Sequence, residues 1–310
     1  MTSPKSAEAL VTLKATSGKA EASSRCWADQ LLVRPIGITI QPVPQALHAH
    51  DLLQTLEGLR FGHPPYLFQQ IGSTNDEARR LAQAQAPEGL MVVAEEQTAG
   101  RGRAGRRWIT PAGSALAFSL VLRPDVPPAQ AARLTMLAGL AVCEGIEQAA
   151  GVPAALKWPN DILLAGQKAG GILVEAVFAS DGQERLEFAV LGIGVNVETA
   201  PAAGQVDFPA TALNQQAGRP IERLDLLRAI LERLEARYPA LNALDRRPLH
   251  AEWAARLVWM GEPVIAHTSG ADYAGQAQGT DPDGALVIRL DTGEQVRVRA
   301  GDVRLRQTVA

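Results

Sequence analysis

Very little in this sequence suits life outside the cytoplasm. Its 310 residues include two cysteines, Cys26 and Cys143, far apart and forming no C-x-x-C pair. That usage suits a reducing compartment and excludes a disulfide-stapled scaffold. No uninterrupted apolar run approaches the length of a membrane span. The N-terminal MTSPKSAEALVTLKATSGKAEASSR lacks a compact apolar core with a cleavage site, so it does not read as a secretory signal. The expected address is therefore cytoplasmic, with no membrane partner. A basic surplus is missing as well. Thirty Lys and Arg face thirty-three Asp and Glu, leaving a formal net charge of −3, whereas a dedicated nucleic-acid binder carries a marked positive excess. Any anion site must be local. Neither G-x-S-x-G nor a P-loop occurs, which removes the two commonest signatures of acyl-enzyme and NTPase chemistry. His48 and His50 form the one close histidine pair and have no third ligand near them, so no metal site is expected.

What is present reads as an ordinary soluble protein, 46% hydrophobic and 20% charged. Residues 1–30 offer few large apolar groups and are expected to be a disordered tail. A lead-in over 31–60 follows, with LLVRPIGITIQPVP broken by prolines and then a helical ALHAHDLLQTLEGL. Residues 61–260 mix strands such as PPYLFQQI, GLMVVAEEQ and SALAFSLVLRP with helical stretches, including the long apolar PPAQAARLTMLAGLAVCEGIEQAAG. Thr74 and Glu77 stand in capping-box spacing. The segment PATALNQQAGRPIERLDLLRAILERLEARYPAL returns to helix. From 261 to 310 short strands alternate with SGA, PDG and TGE turns, which predicts a small antiparallel barrel. The fold class is α+β, a mixed β-sheet core with flanking helices followed by an all-β appendage.

One loop demands a chemical reading. QTAGRGRAGRRWITP, residues 97–111, contains G-x-G-x-x-G at Gly100, Gly102 and Gly105. A dinucleotide fingerprint needs a helix next, but RRWITPAGSALAFSL is β-rich, and the nearest acid, Asp125, lies in a Pro-rich turn. A minor-groove arginine arm belongs in a flexible tail of a basic protein, which this is not. Arg101, Arg103, Arg106 and Arg107 crowd like charges together, an arrangement that calls for an anion. Arginine forks and glycine backbone N–H groups bind phosphate, and Trp108 offers a ring for a purine. The loop reads as a lid that orders over a nucleotide phosphate.

STN (73–75), QTAGRGRAGRRW (97–108), KWPNDILL (157–164), KAGGILVE (168–175) and GIGVNV (192–197) follow one another in this order. Together they resemble biotin protein ligase, the resemblance covering about residues 61–309. It implies a biotinyl/lipoyl ligase core related to class II synthetases and an SH3-like C-terminal barrel. It further implies two half-reactions: biotin and MgATP give biotinyl-5′-AMP and pyrophosphate, then a lysine of a biotin carboxyl carrier protein or domain takes the biotin. The resemblance assigns biotin contacts to Ser73, Thr74, Asn75, Gln97, Arg101, Gly102, Arg103, Lys168, Gly170, Gly171, Gly192 and Gly194. It assigns the nucleotide to Arg103, Arg106, Trp108, Asn160 and Asn196, and catalysis to Lys168, Lys157, Arg103 and Asp161. ATP and biotin are then substrates, and Mg²⁺ arrives with ATP.

The residue types fit that assignment. Short polar side chains at 73–75 and 97 can satisfy a ureido ring in an otherwise apolar pocket, although STN can equally cap a helix. Lysines at 157 and 168 can stabilise the charge that gathers when a carboxylate attacks ATP, although an isolated strand lysine is more often a solvated edge residue. Asn160 and Asp161 follow Pro159 at a turn; Asp161 is open to two roles, holding Mg²⁺ or accepting a proton. The glycines let backbone abut a ligand, or simply pack strands. Some members of the family carry an N-terminal winged helix and repress transcription. The Pro-broken lead-in contains at most one amphipathic helix, so a ligase without DNA binding is expected. A homodimer through sheet edges is compatible with the family. A lipoate-type ligase or acyltransferase on the same fold and a ligand-sensing DNA-binding regulator are the alternative functions.

Overall fold

The first sheet is centred on strands whose residues are buried on both faces. In this computed structural model, residues 46–179, 185–242 and 247–306 are described. The chain divides into two units, Met1–Pro42 and Val43–Ala310. The tail, and the part of the lead-in up to residue 45, lie outside the described residues.

Seven strands form the first sheet: β1 (Pro65–Ile71), β2 (Met91–Gln97), β3 (Ala115–Leu122), β4 (Ala155–Lys157), β5 (Asp161–Leu164), β6 (Gln167–Phe178) and β7 (Leu186–Asn196). Their order is β1-β2-β3-β7-β6-β5-β4. β1 and β2 run parallel and every other pair is antiparallel, so the sheet is mixed as expected. One face carries α2 (Thr74–Gln83), whose Ala78 and Ala82 pack on Val92, Val121, Phe188 and Val190. The other face carries α3 (Ala132–Ala150), α5 (Arg223–Arg237) and α6 (Arg247–Ala255) over the main apolar core. α3 is apolar nearly all round because it lies between the sheet and other helices. A Cβ on Gly145 would sit 2.9 Å from the Ile230 Cα, so glycine there lets α3 and α5 approach closely. Each fully buried leucine in this layer contributes about 1.5–3 kcal/mol.

Ahead of the sheet, α1 (Ala49–Thr55) is the helical part of the lead-in. The Leu47 N–H donates to Glu95, and Glu95 also pairs with Arg223 at 2.9 Å. The lead-in is thus pinned to β2 and α5 by a buried carboxylate. The helical return is two helices rather than one, α4 (Leu213–Ala217) and α5, because Gly218 turns to φ +66° and Pro220 follows. The expected capping box does not form. Ser73 is the N-cap without a side-chain bond, Thr74 is the first helical residue, and Glu77 pairs with Arg80 instead.

The second sheet is antiparallel throughout, with order β11-β10-β9-β8-β12. Its strands are β8 (Pro263–His267), β9 (Asp272–Thr280), β10 (Leu286–Leu290), β11 (Gln295–Val298) and β12 (Asp302–Leu305). Val264, Ala277, Leu286, Ile288 and Val303 fill its interior and join the main core. It docks where the Trp158 indole donates to the Gly284 carbonyl at 2.9 Å.

Candidate functional site

A cavity of about 1110 Å³ opens between the 97–110 loop, strands β5 to β7 and the second sheet. The end formed by the start of α2 is neutral. Ser119 of β3 is fully buried, its Oγ lying 2.8 Å from the Thr74 hydroxyl and 2.6 Å from Asn75 Oδ1. Gln97 Oε1 accepts from the Thr74 backbone N–H at 2.9 Å and hydroxyl at 3.1 Å, while its amide nitrogen donates to Thr110 at 3.3 Å. The Asn75 amide nitrogen donates to Glu175 at 2.8 Å and to the Leu173 carbonyl at 3.4 Å. Every member is satisfied, which is the condition for a buried polar network to hold a shape. A Cβ on Gly192 would fall 2.1 Å from Asn75 Oδ1, so glycine on β7 makes room for the asparagine.

Charge fills the other end. Lys157 closes β4 and Asp161 opens β5, and the two face each other across the antiparallel pair, a favourable opposite-charge arrangement. Lys157 Nζ lies 3.2 Å from Asp161 Oδ2 and 2.5 Å from Asp302 Oδ1, and Lys168 Nζ lies 2.5 Å from Asp161 Oδ1. Arg106 of the loop meets Asp302 Oδ2 at 3.1 Å. Signs therefore alternate from Lys168 to Asp161, Lys157, Asp302 and Arg106. Lys157 is only 2% exposed, so the solvated-edge reading of this strand lysine fails. Its ammonium also sits 5.3 Å from the Phe208 ring centroid and 5.9 Å from that of Trp259. Burial alone would raise the Asp302 carboxyl, yet Lys157 and Arg106 hold it down at about 2. Burial lowers the Arg103 guanidinium from its ordinary value, partly offset by Asp161. Asn160 is fixed by donating to the Ile172 carbonyl at 2.7 Å.

The cavity brings together Ser73, Thr74, Asn75, Gln97, Arg101, Gly102, Arg103, Arg106, Trp108, Lys157, Asn160, Asp161, Lys168, Gly171, Gly192, Gly194 and Asn196. Gly170 does not line it. A Cβ there would lie 2.7 Å from the Gly194 carbonyl oxygen, so close strand pairing is the reason for that glycine. Gly194 has Trp108 lying on it, with a Cβ position only 2.6 Å from the indole Cε2. The Trp108 Nε1–H is buried without a hydrogen-bond partner. Two loop arginines are held by protein carboxylates here, Arg106 by Asp302 at 3.1 Å, and Arg101 by Asp76 and Glu175 at 2.7 Å each. Arg103 has no ion-pair partner among the described residues. Asn196 donates to the Thr211 carbonyl at 3.1 Å.

Three site residues escaped the sequence reading. Ser119 is the lone polar residue of the strand ALAFSLVL, a signal that was legible. Glu175 ends the quoted KAGGILVE, but its partners Asn75 and Arg101 come from other elements. Asp302 lies in the second sheet, where nothing local distinguishes it from a surface acid. Among the described residues no group of three or more His, Cys, Asp or Glu could hold a metal ion, and no helix is long and apolar enough to cross a membrane.

Two family patterns match the chain. That of the biotin/lipoate A/B protein ligase family covers residues 67–196, and that of the biotin protein ligase C-terminal domain covers 260–306. The biotin–[acetyl-CoA-carboxylase] ligase of Paracoccus denitrificans is 40% identical over 238 residues, covering 74% of this chain and 96% of that protein. The bifunctional ligase/repressor BirA of Bacillus subtilis (strain 168) is 38% identical over 241 residues, 76% of this chain and 72% of that one. Among solved structures, the biotin protein ligase from Aquifex aeolicus in complex with biotin and ATP superposes with a TM-score of 0.66 at 26% identity, covering 79% of this chain and all of the other.

Proposed function

The chain belongs to the biotin/lipoate A/B protein ligase family, and from that premise we propose how its own residues share the work. It is a biotin–[biotin carboxyl-carrier protein] ligase: it activates biotin with ATP and transfers it to a carboxylase's carrier. The observation that carries the assignment of roles is the juxtaposition, in one cavity, of a neutral hydrogen-bonding end with a ladder of buried charges.

The neutral network of Ser119, Thr74, Asn75 and Gln97 receives the ureido ring. An apolar acyl tunnel would have no use for that network, which favours biotin over the acyl acid of a lipoate-type ligase. Lys168 holds the biotin carboxylate against the α-phosphate. A carboxylate oxygen attacks the α-phosphorus, a new O–P bond forms, and pyrophosphate leaves with the electrons of the broken one. Lys157 and Arg103 stabilise the charge that collects there. The carrier lysine, as free amine, then attacks the acyl carbon, AMP departs, and the amine proton passes to solvent or Asp161. Positioning and electrostatics suffice, with no covalent enzyme intermediate. Closure of the 97–110 loop keeps water from the mixed anhydride.

Asp161 and Asn160 suit a magnesium ion only as part of the nucleotide, because one carboxylate and one amide oxygen leave most ligand positions to phosphate and water. When bound, the ion offsets phosphate charge. The ligase works without operator binding, a reading supported by the acidic balance and the Pro-broken lead-in; a sequence-specific gel shift in the presence of biotin and ATP would overturn it. The reaction itself is tested by incubating the purified chain with ATP, biotin and a carboxyl carrier domain and scoring the carrier with streptavidin. Wild type labels the carrier and Lys168→Ala does not; an unlabelled carrier with wild type overturns the reading.

A further inference from the structure

Arg304 belongs to the second sheet and is used by nothing described so far. It lies two residues after Asp302 on β12, hence on the same face of the strand, and it lines the cavity together with Lys157 and Arg103. Its nearest carboxylates are already engaged or distant. Asp302 gives one oxygen to Lys157 and the other to Arg106, leaving Arg304 Nε at 3.6 Å from Oδ2. Asp207, itself largely exposed, is 3.8 Å from Arg304 Nη2. Both separations exceed hydrogen-bonding distance. The Arg304 Nε–H is nevertheless buried and has no acceptor. Buried donors without acceptors are rare enough that each calls for an explanation, and a guanidinium facing a cavity is explained by an anion that binds there.

Charge and connectivity identify that anion. Seven cationic side chains line the cavity against three carboxylates, a surplus that matches a polyphosphate rather than biotin's single charge. The ladder runs from Lys168, where the reacting carboxylate sits, through Asp161 and Lys157 to Asp302, next to which Arg304 lies. The far side of the α-phosphate from biotin thus faces the second sheet. We propose that Arg304 is a catalytic residue of the adenylation half-reaction, binding the β- and γ-phosphates of ATP and the pyrophosphate they become. The second sheet then contributes a ligand to the leaving group, as well as the carboxylate that holds Lys157. This inference rests on the ligase reading above.

The test uses the full-length chain as wild type, Arg304→Gln and Arg304→Lys. Four quantities are measured: KM for ATP, KM for biotin, inhibition by added pyrophosphate, and single-turnover transfer from preformed biotinyl-5′-adenylate to the carrier. Loss of one charge-assisted contact is expected to raise KM for ATP and the pyrophosphate inhibition constant about tenfold in Arg304→Gln. KM for biotin and the transfer rate stay at wild-type values. Arg304→Lys, which keeps the charge and loses the fork, falls between. Unchanged ATP and pyrophosphate constants overturn the proposal, and so does an equal loss in all four quantities, which would make Arg304 merely structural. If Arg304→Gln does not fold, Arg304→Lys decides alone by the same split between nucleotide and transfer. Failure of wild type to form adenylate at all would sink the ligase reading instead, a different and separately visible outcome.

Discussion

At one end of the cavity Ser119, Thr74, Asn75 and Gln97 exchange hydrogen bonds with no formal charge among the four, whereas at the other Lys168, Asp161, Lys157 and Asp302 alternate in sign. The neutral end is built from β2, β3 and the start of α2, neighbours around a single sheet. The charged end draws its members from two sheets. The difference separates two physical tasks. A satisfied neutral network defines a shape and is indifferent to ionic strength. A ladder of ions keeps cations ready by giving each a protein counter-ion until phosphate replaces it, and its buried core of Lys157, Asp161 and Asp302 is correspondingly sensitive to loss of a member, at about 3–5 kcal/mol for a broken buried pair.

The largest effect should come from removing a cation that has no substitute. Lys168→Ala is expected to lower kcat/KM for adenylate formation by roughly 10²–10³, measured by ATP–pyrophosphate exchange, while the fold's thermal stability changes little because this lysine is partly exposed. Next is the neutral end. Gly192→Ala drives a methyl into Asn75 Oδ1 and leaves a buried polar group unpaired, a loss of about 1–3 kcal/mol. Biotin affinity by calorimetry should fall about tenfold or more while KM for ATP is unmoved; equal damage to both would show that the two ends are not independent.

Acid should then strip the charged end alone. Asp302 is held at about 2 against an ordinary 3.8. A depressed carboxylate contributes stability above its unfolded value, and loses it as pH falls from about 4 to about 2. The contribution is about 2 kcal/mol. Asp302→Asn should therefore flatten the fall in Tm over that window. A parallel curve for both proteins would mean that Asp302 is not a site of acid sensitivity. The smallest effect is ionic. Raising salt from roughly 0.05 to 0.5 M should increase KM for ATP a few-fold and KM for biotin much less, because the triphosphate presents several charges to be screened whereas biotin presents only the carboxylate held by Lys168, the rest of its contacts being neutral hydrogen bonds.

Legibility in the sequence followed the same division. The STN, QTAGRGRAGRRW, KWPND and KAGGILVE stretches are local, and strands β1 to β3 and helix α3 fall where alternation and apolar periodicity place them. The neutral end was nearly complete because three of its four members sit in those stretches; Ser119 alone had to be supplied by the strand it interrupts. The charged end was half seen. Lys157, Asp161 and Lys168 were visible, but Asp302 and Arg304 reach them through the docking of two sheets, Asp302 lying 145 residues along the chain from Lys157, and no periodicity encodes such a contact. The loop arginines show the converse limit. Their crowding announces an anion, yet which of them stays uncommitted depends on Asp76, Glu175 and Asp302, all chosen by tertiary structure.

The carboxylate that spans from β12 to Lys157 also binds the two sheets together as a unit of inheritance. A chimera that takes its last strands from a distant relative lacking an acid at that position would keep both folds and still strand a buried ammonium with one counter-ion. Drift at Asp302 is therefore tolerable only in step with drift around Lys157, and the two halves of this protein should diversify as partners rather than as exchangeable parts.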